Sequence, residues 1–152
     1  MKHDDKYLSL AAMVSSFSTC LRSHFGVVIV KDDQVLGIGY NGPARGVKHC
    51  EVCRRADCPS GVGYEKCIAV HAEVNAIIQS GGREKCLGAT LYIASHKRPM
   101  TKTIYNILMG DFPCNNCARV IVNAGIKFVV QRELDGIREY DIKELIQLRQ
   151  LE

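Results

Sequence analysis

The apolar run Gly26-Val27-Val28-Ile29-Val30 stops at Asp32-Asp33 and resumes from Val35 to Tyr40, so the chain must open its sheet with a tight hairpin. Everything else has to be arranged around that ribbon. Tyr7, Leu10, Val14, Phe17 and Leu21 recur at intervals of three and four, which predicts a first helix over about residues 6–22 that packs flat on the sheet. Asn41-Gly42-Pro43 ends the second strand. Residues 44–69 then lose periodicity and turn to Cys, Arg, Gly and Pro, a long irregular segment of the kind that is usually functional, metal-stapled or disordered.

Order returns with a helix over residues 72–80 that Gly81-Gly82 terminates, and a third strand over 90–95. Residues 103–109 suit a short helix or a hairpin arm. A helix over 114–123 has Pro113 beside its first turn and Gly125 past its end, and a fourth strand follows over 127–131. Residues 138–141 form a short fifth strand and 142–151 a closing helix. Alternating strand and helix from residue 84 onward require a parallel pairing there, whereas the opening hairpin is antiparallel. The expected fold is α/β: a three-layer α/β/α sandwich with a mixed sheet of four to five strands, in one domain over 1–152.

With 47% hydrophobic and 24% charged residues, the 152-residue chain can bury an ordinary globular core. Its apolar runs are too short for a bilayer and its first ten residues lack the apolar stretch of a signal peptide, so the expectation is a cytoplasmic protein without a membrane partner. In a reducing compartment eight cysteines read as thiols, metal ligands or catalytic groups rather than disulfides. The net charge of +4 is spread without an arginine stripe, which suits a small anionic ligand better than nucleic acid.

Two motifs carry chemistry. His71-Ala72-Glu73 opens one helix and Pro113-Cys114-Asn115-Asn116-Cys117 opens another. Cys114 and Cys117, three apart on a first turn, present both sulfurs to one face, where the positive helix end favours thiolates. With the His71 imidazole they make three ligands for Zn²⁺, and a catalytic zinc keeps its fourth position for water whereas a structural one fills it with protein. Glu73 is then a carboxylate beside the metal that need not be a ligand, a group suited to moving protons. Either half alone arises by chance; together they match the H-x-E and P-C-x-x-C signature of zinc deaminases. A closed structural zinc site is the alternative.

At this point the chain resembles the deoxycytidylate deaminase branch of the cytidine deaminase superfamily. The residues that carry the likeness are Gly39-Tyr40-Asn41-Gly42-Pro43, Tyr64-Glu65-Lys66-Cys67, His71-Ala72-Glu73-Val74-Asn75-Ala76-Ile77-Ile78 and Pro113-Cys114-Asn115-Asn116-Cys117-Ala118. The resemblance implies a cytidine deaminase-like fold, a catalytic zinc on His71, Cys114 and Cys117, and Glu73 as proton shuttle. It implies that Asn41 contacts the deoxyribose and neighbouring phosphate, and that Asn75 and Ala72 help form the nucleotide pocket. A homo-oligomer, often a hexamer, activated by dCTP with Mg²⁺ and inhibited by dTTP, is implied likewise. From the residues alone, Asn41 also reads as a left-handed turn residue and Asn75 as a helix-packing or surface amide.

Cys50, Cys53, Cys58 and Cys67, with His49 adjacent, form a second cluster inside the irregular segment, which reads either as a structural zinc site or as buried free thiols. Cys20 and Cys86 read as packing residues. Residues 96–112 exceed what the family usually places between the third strand and the Pro-Cys segment, and their Lys97, Arg98 and Lys102 either meet a phosphate or stay solvated. The expected activity is zinc-dependent hydrolysis of dCMP to dUMP and ammonia. The same chemistry on another cytidine nucleoside, nucleotide or purine, and a non-catalytic zinc module, are the alternatives.

Overall fold

The computed structural model describes residues 3–59, 61–96, 113–133 and 136–151. Helix α1 (His3–Ser15) leads into strands β1 (His24–Lys31) and β2 (Gln34–Tyr40). Asp32 and Asp33 both take left-handed backbone (φ 50° and 57°), the twist a two-residue hairpin turn demands, and Lys31 pairs with Gln34 to close it. β1 also pairs antiparallel with β5 (Thr90–His96), which pairs parallel with β6 (Phe128–Glu133). β7 (Gly136–Asp141) adds antiparallel to β6, giving a five-stranded mixed sheet in the order β2-β1-β5-β6-β7.

Strand side chains alternate, so the two faces of this sheet own different residues. Val28 and Val30 of β1, with Tyr92 and Val130, pack against Tyr7, Leu8, Ala11 and Val14 of α1. Val27, Ile29, Leu91 and Val129 face the opposite layer, which holds α2 (Ala72–Gln79), α3 (Arg83–Cys86), α4 (Asn115–Asn123) and α5 (Ile142–Leu148). This is the three-layer α/β/α arrangement with the mixed sheet. Gly26 allows α1 to sit against β1, because a β-carbon there would stand 2.1 Å from the Ala11 carbonyl oxygen.

Three boundaries differ from expectation. α1 ends at Ser15 rather than near residue 22, and Phe17 and Leu21 are 52% and 40% exposed rather than on its packed stripe. The serines stop it: Ser15 and Ser16 turn their hydroxyls back onto the carbonyls of Ala12 and Met13, each at 2.7 Å, and Ser18 bonds the Asn41 carbonyl across the fold. α5 ends at Leu148, short of residue 151. The irregular segment carries a 3₁₀ turn (Tyr64–Lys66) and is clamped at its two ends by β3 (Gly42–Pro43) pairing with β4 (Ala69–Val70). The inserted segment, with Lys97, Arg98 and Lys102 and the alternative elements over 103–109, lies outside the described residues.

Candidate active site

The site forms where two helices begin at the same edge of the fold. β4 runs straight into α2 at His71, whose extended backbone (φ −71°, ψ 153°) sets the helix start while its imidazole makes no capping bond. The ring therefore serves the site and not the helix. Cys114 holds the matching position before α4, where its sulfur accepts the Cys117 backbone N–H at 3.5 Å. His71 Nδ1 lies 3.6 Å from Cys114 Sγ and 3.2 Å from Cys117 Sγ, and all three ligand atoms fall within 4.8 Å of one another.

These separations suit one ion. Zinc bonds of about 2.3 Å to sulfur and about 2.0–2.1 Å to nitrogen, arranged tetrahedrally, hold such donors roughly 3.5 Å apart. The electrostatics agree. Hydrogen bonding from the Cys117 thiol, and then from His71, pulls the Cys114 thiol well below its ordinary range, while the same bond pushes Cys117 up and Cys114 raises His71. Two sulfurs this close cannot both be thiolates unless a cation lies between them. Among the described residues no other group of three His, Cys, Asp or Glu side chains gathers its ligand atoms in this way.

Glu73, 3% exposed on the first turn of α2, lies beside these ligands, and burial raises its carboxyl above the ordinary carboxylate range. His71, Glu73 and Cys114 open onto a cavity of about 760 Å³, within the range of about 300–1,000 Å³ usual for small-molecule sites. Asn41 and Ala72 line it too. Asn41 is buried, accepts the Phe25 N–H and donates to the Ser23 carbonyl, both at 2.8 Å, and is absent from the left-handed region. Asn75 is not among the described lining residues. Its amide instead donates to the Tyr40 carbonyl at 2.8 Å, tying α2 to the end of β2.

The cysteine cluster of the irregular segment is not drawn round one point: Cys53 and Cys67 line the cavity, Cys50 and Cys58 do not, and His49 bonds the Thr19 hydroxyl at 2.9 Å. Cys86 is fully buried packing, as expected, but Cys20 lines the cavity. Arg22, Arg55, Tyr64 and Arg149 also line it, and none carries a functional role in the sequence reading. Tyr64 meets the His71 ring edge-on with centroids 5.3 Å apart, and the Arg55 guanidinium lies 4.1 Å from the centre of the Tyr64 ring. Tyr64 was visible as part of a family motif. Arg22 falls at the end of the expected first helix, Arg55 in the non-periodic segment and Arg149 in the expected closing helix, none of them inside a motif.

Residues 1–132 match the family model described as the cytidine and deoxycytidylate deaminase zinc-binding region. The chain belongs to this deaminase family. Among relatives of this deaminase, the deoxycytidylate deaminase of Mycobacterium phage D29 is 36% identical over 134 residues, covering 84% of this chain and 91% of the phage protein. The deoxycytidylate deaminase of Schizosaccharomyces pombe is 30% identical over 131 residues, 84% of this chain but only 36% of the yeast protein. Among solved structures, the dCMP deaminase of cyanophage S-TIM5 in complex with dCMP and dUMP superposes with a TM-score of 0.63 at 27% identity, over 97% of this chain and 89% of that one. Among the described residues no helix is long and apolar enough to cross a membrane.

Proposed function

We propose that this deaminase hydrolyses dCMP to dUMP and ammonia, with one zinc held by His71, Cys114 and Cys117. The observation that carries the reading is the three-ligand cluster, with no fourth protein donor among the described residues, set beside a buried carboxylate on the wall of a nucleotide-sized cavity. The phage and yeast relatives named for this substrate support the choice of dCMP.

Zinc held by His71, Cys114 and Cys117 would supply Lewis acidity, easing the loss of a proton from water near neutral pH. Every proton transfer then falls to the chain itself. Glu73 takes a proton from the attacking water and passes it to the ring nitrogen next to the amino-bearing carbon. Once the water oxygen has bonded to that carbon, Glu73 carries the remaining hydroxyl proton to the amino group, the carbon–nitrogen bond breaks, ammonia leaves and the carbonyl forms. A carboxyl raised by burial is better suited to giving the proton back than an ordinary carboxylate. Asn41 and Ala72 sit where a nucleoside would touch the wall, and Asn75 supports them through Tyr40. A second zinc on Cys50, Cys53, Cys58 and Cys67 requires the irregular segment to close further. The oligomer and the response to dCTP with Mg²⁺ rest on the family resemblance alone.

Ammonia release measured across dCMP, CMP, deoxycytidine, dCTP and adenosine tests the substrate. Turnover confined to nucleosides or to adenosine overturns it. Glu73→Ala tests the mechanism: zinc content is retained while turnover falls about 10²–10⁴-fold or more. Wild-type rates in that variant would remove Glu73 from the chemistry.

A further inference from the structure

We propose that Tyr64 is a positioning residue of the metal centre: its ring fixes the plane of the His71 imidazole, and Arg55 fixes the ring. This rests on the zinc reading of the cluster and goes beyond it by naming what keeps one ligand turned toward the ion.

The torsion that turns a histidine ring is broad and roughly two-fold, so rotamer preference alone does not settle where an imidazole points. Packing has to do so. The helix start does not, because the His71 side chain makes no bond to the α2 backbone it precedes. Nδ1 meets the sulfurs of Cys114 and Cys117 at 3.6 and 3.2 Å, but each sulfur sits on a short stem with its own rotor, so the ligand set does not lock itself. Tyr64 does meet the ring. The two centroids are 5.3 Å apart and the planes cross at 63°, the edge-to-face geometry in which aromatic pairs attract beyond their buried area. An imidazole held this way is already oriented when the metal arrives, which lowers the ordering cost of binding.

The tyrosine is held in turn from the irregular segment. The Arg55 guanidinium lies 4.1 Å from the centre of its ring, and Arg55, 8% exposed, donates from Nε to the Val62 carbonyl at 2.9 Å. Arg22 donates to the carbonyls of Arg55 and Cys58, so the stretch that carries the cation is itself pinned. Gly63 takes left-handed backbone (φ 76°) just before the 3₁₀ turn Tyr64–Lys66, a conformation glycine adopts without strain. From the other side, β4 delivers the chain to His71 while paired with β3. Contacts therefore run from Arg22 through Arg55 and Tyr64 to His71. Tyr64 also lines the cavity, so the rival reading is a wall that touches substrate.

The test uses protein stripped of metal and reloaded with Zn²⁺ or Co²⁺, in wild type, Tyr64→Phe, Tyr64→Leu, Arg55→Met and the Arg55→Met/Tyr64→Leu pair. Zinc release into excess chelator reads how firmly the ion is held, and the visible absorption of bound Co²⁺ reads ligand geometry. We expect Tyr64→Leu to release zinc about two- to tenfold faster and to shift the Co²⁺ bands, with Tyr64→Phe restoring both. In Tyr64→Leu kcat for dCMP falls while KM stays within about twofold of wild type. Arg55→Met speeds release less, and adding it to Tyr64→Leu changes nothing further, because the cation acts through the ring. Wild-type release and bands in Tyr64→Leu, with KM alone raised, overturn the proposal and make Tyr64 a substrate wall. Full additivity in the pair overturns the part assigned to Arg55. A wild type that takes up no zinc, or holds it as firmly after Cys117→Ala, overturns the zinc reading instead. If Tyr64→Leu loses its cooperative melt, Tyr64→Met replaces it: faster release with shifted bands supports the proposal, and wild-type values overturn it.

Discussion

Gly39 of β2 lies so close beneath Ala76 of α2 that a β-carbon there would stand 2.3 Å from the Ala76 nitrogen and 2.3 Å from the Ala72 carbonyl oxygen. The helix that starts at His71 and carries Glu73 is therefore seated directly on the strand backbone, and its height above the sheet fixes the height of the site. Gly39→Ala must lift α2, since backbone and not a flexible side chain is in the way. Overpacking of this kind costs about 1–3 kcal/mol. Urea denaturation should show that loss together with a weaker hold on zinc. An unchanged midpoint with unchanged zinc content would show that the helix seat does not govern the site.

Asn41 makes a second prediction that separates scaffold from substrate contact. Its side chain satisfies the Phe25 N–H and the Ser23 carbonyl at the start of β1, and it is 6% exposed. Asn41→Ala leaves both backbone groups without that partner, and each unsatisfied buried group costs about 1–3 kcal/mol. The variant should lose stability in the absence of any nucleotide, as well as raising KM. Stability equal to wild type with only KM altered would make Asn41 a ligand contact alone.

The hairpin, the two helix starts and the zinc cluster were legible because each rests on local rules: Asp32-Asp33 supplies the turn, and His71 and Cys114 sit at helix beginnings that periodicity and Pro113 mark. What was not legible depends on contacts across the fold. The end of α1 is decided by Ser15, Ser16 and Ser18 competing for backbone carbonyls, which an apolar stripe running on through Phe17 and Leu21 conceals. The β3–β4 clamp joins Gly42 to Val70, pairing residues that share no pattern. Arg55 was invisible for the same reason, since its burial and its stacking on Tyr64 arise only when residues 44–69 fold over the cavity.

Metal removal should destabilise the protein as well as silence it. The ligands come from the starts of two helices far apart in sequence, so an ion that binds only the folded arrangement adds free energy to it. At free zinc about 1,000 times the dissociation constant that contribution is about 4 kcal/mol. For a chain of this size each kcal/mol moves Tm by about 2–4 °C. A chelator should therefore lower Tm markedly in wild type and have little effect on Cys117→Ala, which has already lost a ligand. An equal drop in both would mean that the stabilising ion is held elsewhere.

Alkaline pH should loosen the sheet edge at Tyr140. Its hydroxyl, on a residue 7% exposed, donates to the Glu133 carboxylate and accepts from Gln131 Nε2 at 3.3 Å. Burial first, and then the Glu133 carboxylate, push its pKa from 10.0 up to about 12. Below the unfolded value both states hold the proton and the contribution to stability is complete. As pH rises through about 10 the unfolded chain loses its proton first, so stability falls with pH until the folded tyrosine also ionises near 12. One such proton gives a slope of about 1.4 kcal/mol per pH unit. Tyr92, raised in the same direction by its own burial, adds to the decline, so Tyr140→Phe should reduce the slope between pH 10 and 12 without abolishing it. Urea midpoints across that window measure this, and a slope identical in wild type and Tyr140→Phe would show that Tyr140 does not couple to folding.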